Sequence, residues 1–174
     1  MTIEDKLLEI AAYTIPALIT GGVAFVMMQK FYNSEESKRK FELLRENQKQ
    51  ALPIRLQAYE RMVLLLERIN PSQLLMRVAP TGKSKDDYAT ILSHHIQTEF
   101  EHNLTQQISL TAETWDIVLK AKNSTIQMIR KNALREDVAD ADKLREAVMI
   151  ELTETEAPSN IAISYLKEEL KRVF

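Results

Sequence analysis

The chain has 174 residues, with 23 Lys and Arg against 25 Asp and Glu and no cysteine, a length that suits one compact domain and hardly two. Without Cys there is no disulfide framework, no thiol nucleophile and no cysteine-ligated zinc or iron–sulfur centre. Three Gly and five Pro argue against a glycine-rich nucleotide loop or a turn-dense β-barrel, since both need residues that accept positive φ, and the composition favours helices.

The mean hydropathy of -0.25 averages one very apolar segment with a charged remainder. From Ile10 to Gln29 no residue is charged, and only Tyr13, Thr14, Thr20 and Gln29 interrupt the apolar run. Twenty helical residues rise about 30 Å, the thickness of a bilayer's hydrocarbon core. Pro16 and the Gly21-Gly22 pair would weaken a soluble helix. In lipid the helix stays the best way to satisfy the backbone, so these residues predict a kink or close approach of a neighbour. Ala17 and Gly21 have the small-xxx-small spacing of packed spans.

Two other readings compete with a span. A cleaved signal peptide needs a basic leader, but Glu4, Asp5, Lys6 and Glu9 precede the run and no small-x-small site follows it. A buried core helix seldom needs so long an uncharged run on every face. The segment therefore reads as an uncleaved anchor with residues 1–9 outside. Lys30, Lys38, Arg39, Lys40, Arg45 and Lys49 follow it, while Lys6 is the only basic side chain before it, so positive-inside bias places the rest of the chain in the cytoplasm.

Once Lys6 and the upstream acids Glu4, Asp5 and Glu9 are set aside, 22 basic and 22 acidic side chains remain from residue 30 onward. A neutral surface offers no bulk attraction to phosphates, so nucleic acid has no electrostatic support as a partner. The basic stretch from 30 to 50 suits an anionic inner leaflet, although a topology signal on a solvated helix face explains the same charges.

Residues 30–51 are rich in helix formers and predict a charged juxtamembrane helix. Pro53 either starts a new helix or kinks a continuous one. Beyond it Leu52, Leu56, Tyr59, Val63 and Leu66 follow four-and-three spacing, widened by Met62 and Ile69, which predicts an amphipathic helix with a buried seam. Asn70-Pro71-Ser72 closes that helix, and a short apolar segment leads to the break at Ala79-Pro80-Thr81-Gly82. Ser84 and Asp87 form a capping pair for a helix carrying Tyr88, Ile91, Leu92, Ile96, Phe100 and Leu104. Ile108 to Leu110 reads as briefly extended. Thr111 caps a helix from Ala112 to about Arg135, buried through Trp115, Val118, Leu119, Ile126 and Ile129. Leu144, Val148 and Leu152 mark the next helix, and Ile161, Tyr165, Leu166, Leu170 and Val173 the last.

The stretches LPIRLQAYERMVLLLERINPSQLLMRV, residues 52–78, and HNLTQQISLTAETWDIVLKAKN, residues 102–123, lie in order behind the apolar run. In this arrangement the chain resembles an uncharacterised family of short, single-span helical membrane proteins, mainly from Bacteroidota. The resemblance supports the architecture only. It carries over no catalytic residue.

Three constellations bear on chemistry. Pro80-Thr81-Gly82-Lys83-Ser84 ends like a phosphate-binding Walker loop, but Arg77 stands where its first glycine belongs and no strand precedes it, so no nucleotide site is read here. All three histidines, His94, His95 and His102, fall in one predicted helix beside Glu99 and Glu101. His95, Glu99 and His102 share a face, and Glu99 with His102 has the Glu-x-x-His spacing of di-iron bundles. That site needs a second such motif, which only a symmetric dimer could supply; otherwise Glu99 pairs with His95 one turn away on a polar helix edge. Third, Leu64 sits on the charged face of its helix, ringed by Glu60, Arg61, Glu67 and Arg68. An isolated exposed leucine is ordinary, yet an apolar centre ringed by charge is also how a small partner contact looks.

The sequence thus predicts an all-α protein: a transmembrane helix over residues 10–29, a juxtamembrane helix, and a cytosolic bundle of four to five helices over 52–174. The expected role is non-catalytic, a scaffold or accessory subunit of an inner-membrane complex, with lipid and protein partners, self-association among the options, and no cofactor, nucleotide or nucleic acid. The alternative is a metal-binding bundle enzyme built on His95, Glu99 and His102, completed by dimerisation.

Overall fold

The computed structural model describes residues 3–80, 82 and 84–173, with backbone alone at 4–13, 17, 37, 48 and 173. The expected interspan contact of Ala17 and the last apolar position, Val173, therefore lie outside the described side chains, as do Met1 and Thr2 of the expected external N-terminus. Every regular element among the described residues is helical: α1 (Ile3–Ile69), α2 (Pro71–Arg77), α3 (Lys85–Glu101), a 3-10 segment (Leu104–Ser109), α4 (Ala112–Ala133), α5 (Ala141–Glu154) and α6 (Pro158–Val173). The chain divides between Ala51 and Leu52 into two compact units.

The first unit is helix throughout its described length, and it is long and apolar enough near the N-terminus to cross a membrane. Leu18, Phe25 and Met27 are all more than half exposed. Thr20 Oγ1 donates to the Pro16 carbonyl at 2.8 Å, the back-bond that a hydroxyl makes to the carbonyl four residues earlier in a helix. The next segment carries its charges in turn-spaced pairs, Lys38 with Glu35 and Lys40 with Glu36. Pro53 lies inside α1 and does not end it. The helix accepts the loss of one backbone donor there, so the alternative of a fresh helix starting at Pro53 does not occur.

In the second unit the buried face of α1 consists of Ala58, Tyr59, Met62, Leu65, Leu66 and Ile69. The predicted seam began earlier, at Leu52 and Leu56, but these are 45% and 39% exposed. Periodicity marks which side of a helix is apolar and says nothing about how far along it a covering neighbour extends. Asn70 then ends α1 and caps α2: its Oδ1 accepts from the Ser72 amide at 3.0 Å with Pro71 in the first turn. Its Nδ2 donates to Asn160 Oδ1 at 2.9 Å, tying this corner to the start of α6.

Ser84 caps α3 by accepting from the Asp87 amide at 3.1 Å while its hydroxyl donates to Asp87 Oδ2 at 2.8 Å. Tyr88, Leu92, Ile96 and Phe100 bury from this helix, and the Tyr88 hydroxyl donates to the Val78 carbonyl at 2.6 Å. Helix α3 stops at Glu101, so Leu104 belongs to the following 3-10 segment and not to α3. The expected extended stretch is corrected likewise. Ile108 and Ser109 are in that segment, and of the three residues Leu110 alone is extended, at φ -106 and ψ 161. A two-residue alternation over three positions is too short to distinguish a strand from a tight turn.

Thr111 caps α4 through the Thr114 amide at 3.1 Å, and the helix ends at Ala133, two residues before the expected limit. It lies at the centre of the bundle, packed against α3, α5 and α6, while α2 packs on α5. Leu144 and Val148 bury from α5, and Ala162, Ile163 and Leu166 from α6. The second unit is therefore a helical bundle with one continuous core.

Replacing Leu66, which is fully buried, with alanine should cost about 2–5 kcal/mol. Leu43→Ala, at a position 65% exposed, should stay within about 0.5 kcal/mol. Denaturant titration followed by fluorescence of Trp115, the sole tryptophan, measures both.

Candidate functional site

Where α6 runs beside α1 the two helices leave an open groove of about 350 Å³. Tyr59 and Leu166 form its buried floor, Leu56, Val63 and Leu170 its apolar walls, and Glu60, Glu67 and Lys167 its charged rim. Leu64 stands at the edge, 59% exposed. Its position follows from helix geometry. Residues 59, 62, 66 and 69 point into the core, so 60, 64 and 67, each displaced about 100° or more around the axis, fall outside it.

Of the charges expected to ring Leu64, Glu60 and Glu67 line the groove with it. Arg61 and Arg68 do not. Arg68 is turned to α3, where its Nη2 lies 2.5 Å from Glu99 Oε1, and Arg77 Nη2 donates to the Arg68 carbonyl at 3.2 Å. The α6 side of the site, Leu166, Lys167 and Leu170, was not part of the expectation. Its signal in the sequence was the amphipathic pattern of α6, which shows that the helix buries a face without naming the helix opposite.

Beneath the floor is a polar cluster. Thr111 Oγ1 donates to Glu169 Oε1 at 2.8 Å, and the Thr114 hydroxyl donates to Glu169 Oε2. Burial pushes the Tyr59 phenol up, with the Thr114 hydroxyl opposing and the Glu169 carboxylate adding to the rise. Tyr165, one turn before Glu169, is pushed up to about 12, first by its hydrogen bond with the Glu113 carboxylate and then by desolvation. These contacts hold α6 against the start of α4 and so fix one wall of the groove.

The histidine constellation is arranged differently. His94, His95 and His102 are exposed, and Glu99 is engaged by Arg68, with Arg77 3.9 Å away. The Arg68 guanidinium, with Arg77 close by, holds the Glu99 carboxylate, so the one-turn pairing of Glu99 with His95 is not the arrangement found. Among the described residues no group of three His, Asp or Glu side chains is placed to hold a metal ion. In the Walker-like stretch Thr81 and Lys83 lie outside the described residues. Gly82 has φ 62, and its amide bonds to the Pro80 carbonyl at 2.9 Å, as in a tight inter-helix turn. Arg77, at the position of the missing glycine, closes α2.

The model of DUF7935, a family of unknown function, matches residues 5–173. The chain belongs to this family, whose match takes in both units. No curated protein and no solved structure matches it.

The Tyr165 phenol provides a direct test of the packing behind the groove. Its raised pKa means that the folded state holds the phenolic proton more tightly than the unfolded chain. This contribution to stability is complete below pH of about 10 and is lost as pH rises through about 12. Ultraviolet titration, compared with Tyr165→Phe to isolate this residue, should place its midpoint near 12, and Glu113→Gln should lower it.

Proposed function

We propose that this protein is a single-span, membrane-anchored, non-catalytic scaffold or accessory subunit of a bacterial inner-membrane complex. Its N-terminus lies outside and its bundle in the cytoplasm, where the groove at Leu64 receives a protein partner. The observation that carries the reading is the coexistence of two uncovered apolar surfaces: the described side chains of the helical run over residues 14–29 and the groove between α1 and α6. Apolar surface left in water forgoes about 25 cal/mol for each Å² that could be buried. A twenty-residue apolar helix finds that burial in lipid. A groove with an apolar floor and a charged rim has the layout of a protein contact.

The flanks support the orientation. Basic residues follow the run, and Phe31 and Tyr32, in an edge-on ring contact with centroids 6.5 Å apart, stand where aromatic side chains favour the membrane–water boundary. The metal-enzyme alternative has less behind it, since Glu99 would first have to leave Arg68.

Two measurements test the proposal. The intact chain should stay with the membrane pellet after a high-salt wash, and a cytoplasm-dependent fluorescent reporter at the C-terminus should light up. Release by salt alone, or a reporter active only outside, contradicts the anchor or its orientation. Leu64→Asp, at an exposed position, should leave unfolding within about 0.5 kcal/mol of the parent while abolishing crosslinks made through the groove. Unchanged crosslinking would remove the groove as the contact.

A further inference from the structure

The ion pairs of the second unit avoid the groove. Elsewhere on this unit some cations and acids pair within the chain, Lys120 with Asp116, Lys131 with Glu151, Arg135 with Asp137, Lys143 with Glu146 and Lys171 with Glu168, while others, Arg61 and Arg145 among them, do not. Glu60 and Glu67 on the α1 rim and Lys167 on the α6 rim take part in none of the ion pairs among the described residues. The acidic rim lies on one helix and the basic rim on the other, with Leu64 raised at the edge between them.

This arrangement is self-complementary. A twofold rotation about an axis along the groove sets α1 of one copy opposite α6 of the other. It brings Glu60 and Glu67 of each chain towards Lys167 of the partner copy and makes every contact twice. Each Leu64 is then offered the apolar space between the other copy's Val63 and Leu170. A partner with a uniformly basic or acidic surface would match only one rim and repel the other. A second copy satisfies both.

We propose that the occupant of the groove is a second copy of this chain, docked through a twofold contact centred on Leu64. The inference rests on the reading above that the groove is a protein contact, and names its partner. Nine residues line the groove, against about 20–30 a side in a standard interface, so the contact is weak between free molecules. It becomes populated when both copies are confined to one membrane, where anchoring raises their local concentration.

The absence of native cysteine makes the test direct. Leu64→Cys is introduced into the full chain, and membranes of the producing cells are treated with a short bis-maleimide. Ile108→Cys, in the 3-10 segment and 86% exposed, serves as the control. The expected product is a homodimer of Leu64→Cys far above the control. Lys167→Glu should lower its yield about tenfold or more, because like charges then face each other across the contact. Adding Glu60→Lys and Glu67→Lys to Lys167→Glu should restore the yield, a rescue that general damage to the fold would not permit. Adducts with a different protein only would overturn the second-copy assignment while leaving the groove as a contact. The absence of any adduct above the control would overturn both, and a dimer unaffected by the charge exchange would overturn the proposed geometry.

Discussion

The second unit depends on the burial of one face of α1 over its last three turns. Met62, Leu66 and Ile69 are fully buried and Tyr59 and Leu65 almost so, and each such side chain is worth about 1.5–3 kcal/mol relative to exposure. The helix has no equivalent cover upstream, where Leu52 and Ile54 are 45% and 61% exposed. Within the second unit the buried face of α1 therefore begins at Ala58. Asn70 terminates the helix and, by bonding both the Ser72 amide and Asn160, sets where the chain turns and where α6 begins. The groove lies between these two helices, with Tyr59 and Leu166 at its buried floor and Leu64 exposed at its edge.

Much of this was legible in the sequence because it is local. Ser84 and Thr111 were readable as caps, since a hydroxyl three residues before an orphan amide is a short-range fact, and the structure shows both bonds. The all-helical character of the chain followed from composition and periodicity. The errors arose where the outcome depended on something distant. Leu52 and Leu56 continued the apolar stripe correctly but lacked a covering helix. Leu104 fitted the stripe of α3, yet the chain leaves the helix at His102, where Asn103 Nδ2 bonds back to the Glu99 carbonyl at 2.8 Å. For the site, the exposed Leu64 and its acidic neighbours could be placed on one helix face. Nothing local could show that Arg68 would be drawn away by Glu99, 31 positions on, or that Lys167 would supply the opposite rim.

The polar groups inside the bundle narrow the ways in which its helices can pack. Lys122 is 9% exposed, with its ammonium 4.5 Å from the Phe100 ring centroid and 3.2 Å from Gln97 Oε1. Burying a cation is costly unless electron-rich neighbours replace water, and a slip of α4 along α3 would take Lys122 away from both. Glu169 places the same demand on α6, since its carboxylate is satisfied only where Thr111 and Thr114 meet it. The bundle is thus held in register by a few polar contacts laid over a general apolar core. Tyr59 lies between the two, with its ring in the core and its phenol beside Glu169.

This rigidity bears on how a small groove could serve as a contact. Because α1 and α6 are already fixed by core burial and by the Glu169 cluster, little ordering remains to be done when a partner arrives, and that ordering is a main cost of association. A contact with a Kd near 1 mM gains only about 4 kcal/mol and is sparse between freely diffusing molecules. Confinement to a membrane changes the concentration term without altering any contact, and short tethers supply effective concentrations on the order of millimolar. On the anchored reading, the long apolar helix and the modest groove are therefore complementary: the first supplies the concentration that the second needs. The neutral balance of the chain from residue 30 onward fits the same division. A bundle with strong charge of one sign would repel its own copies at the surface, whereas a balanced one leaves attraction or repulsion to the charges that face each other in the contact.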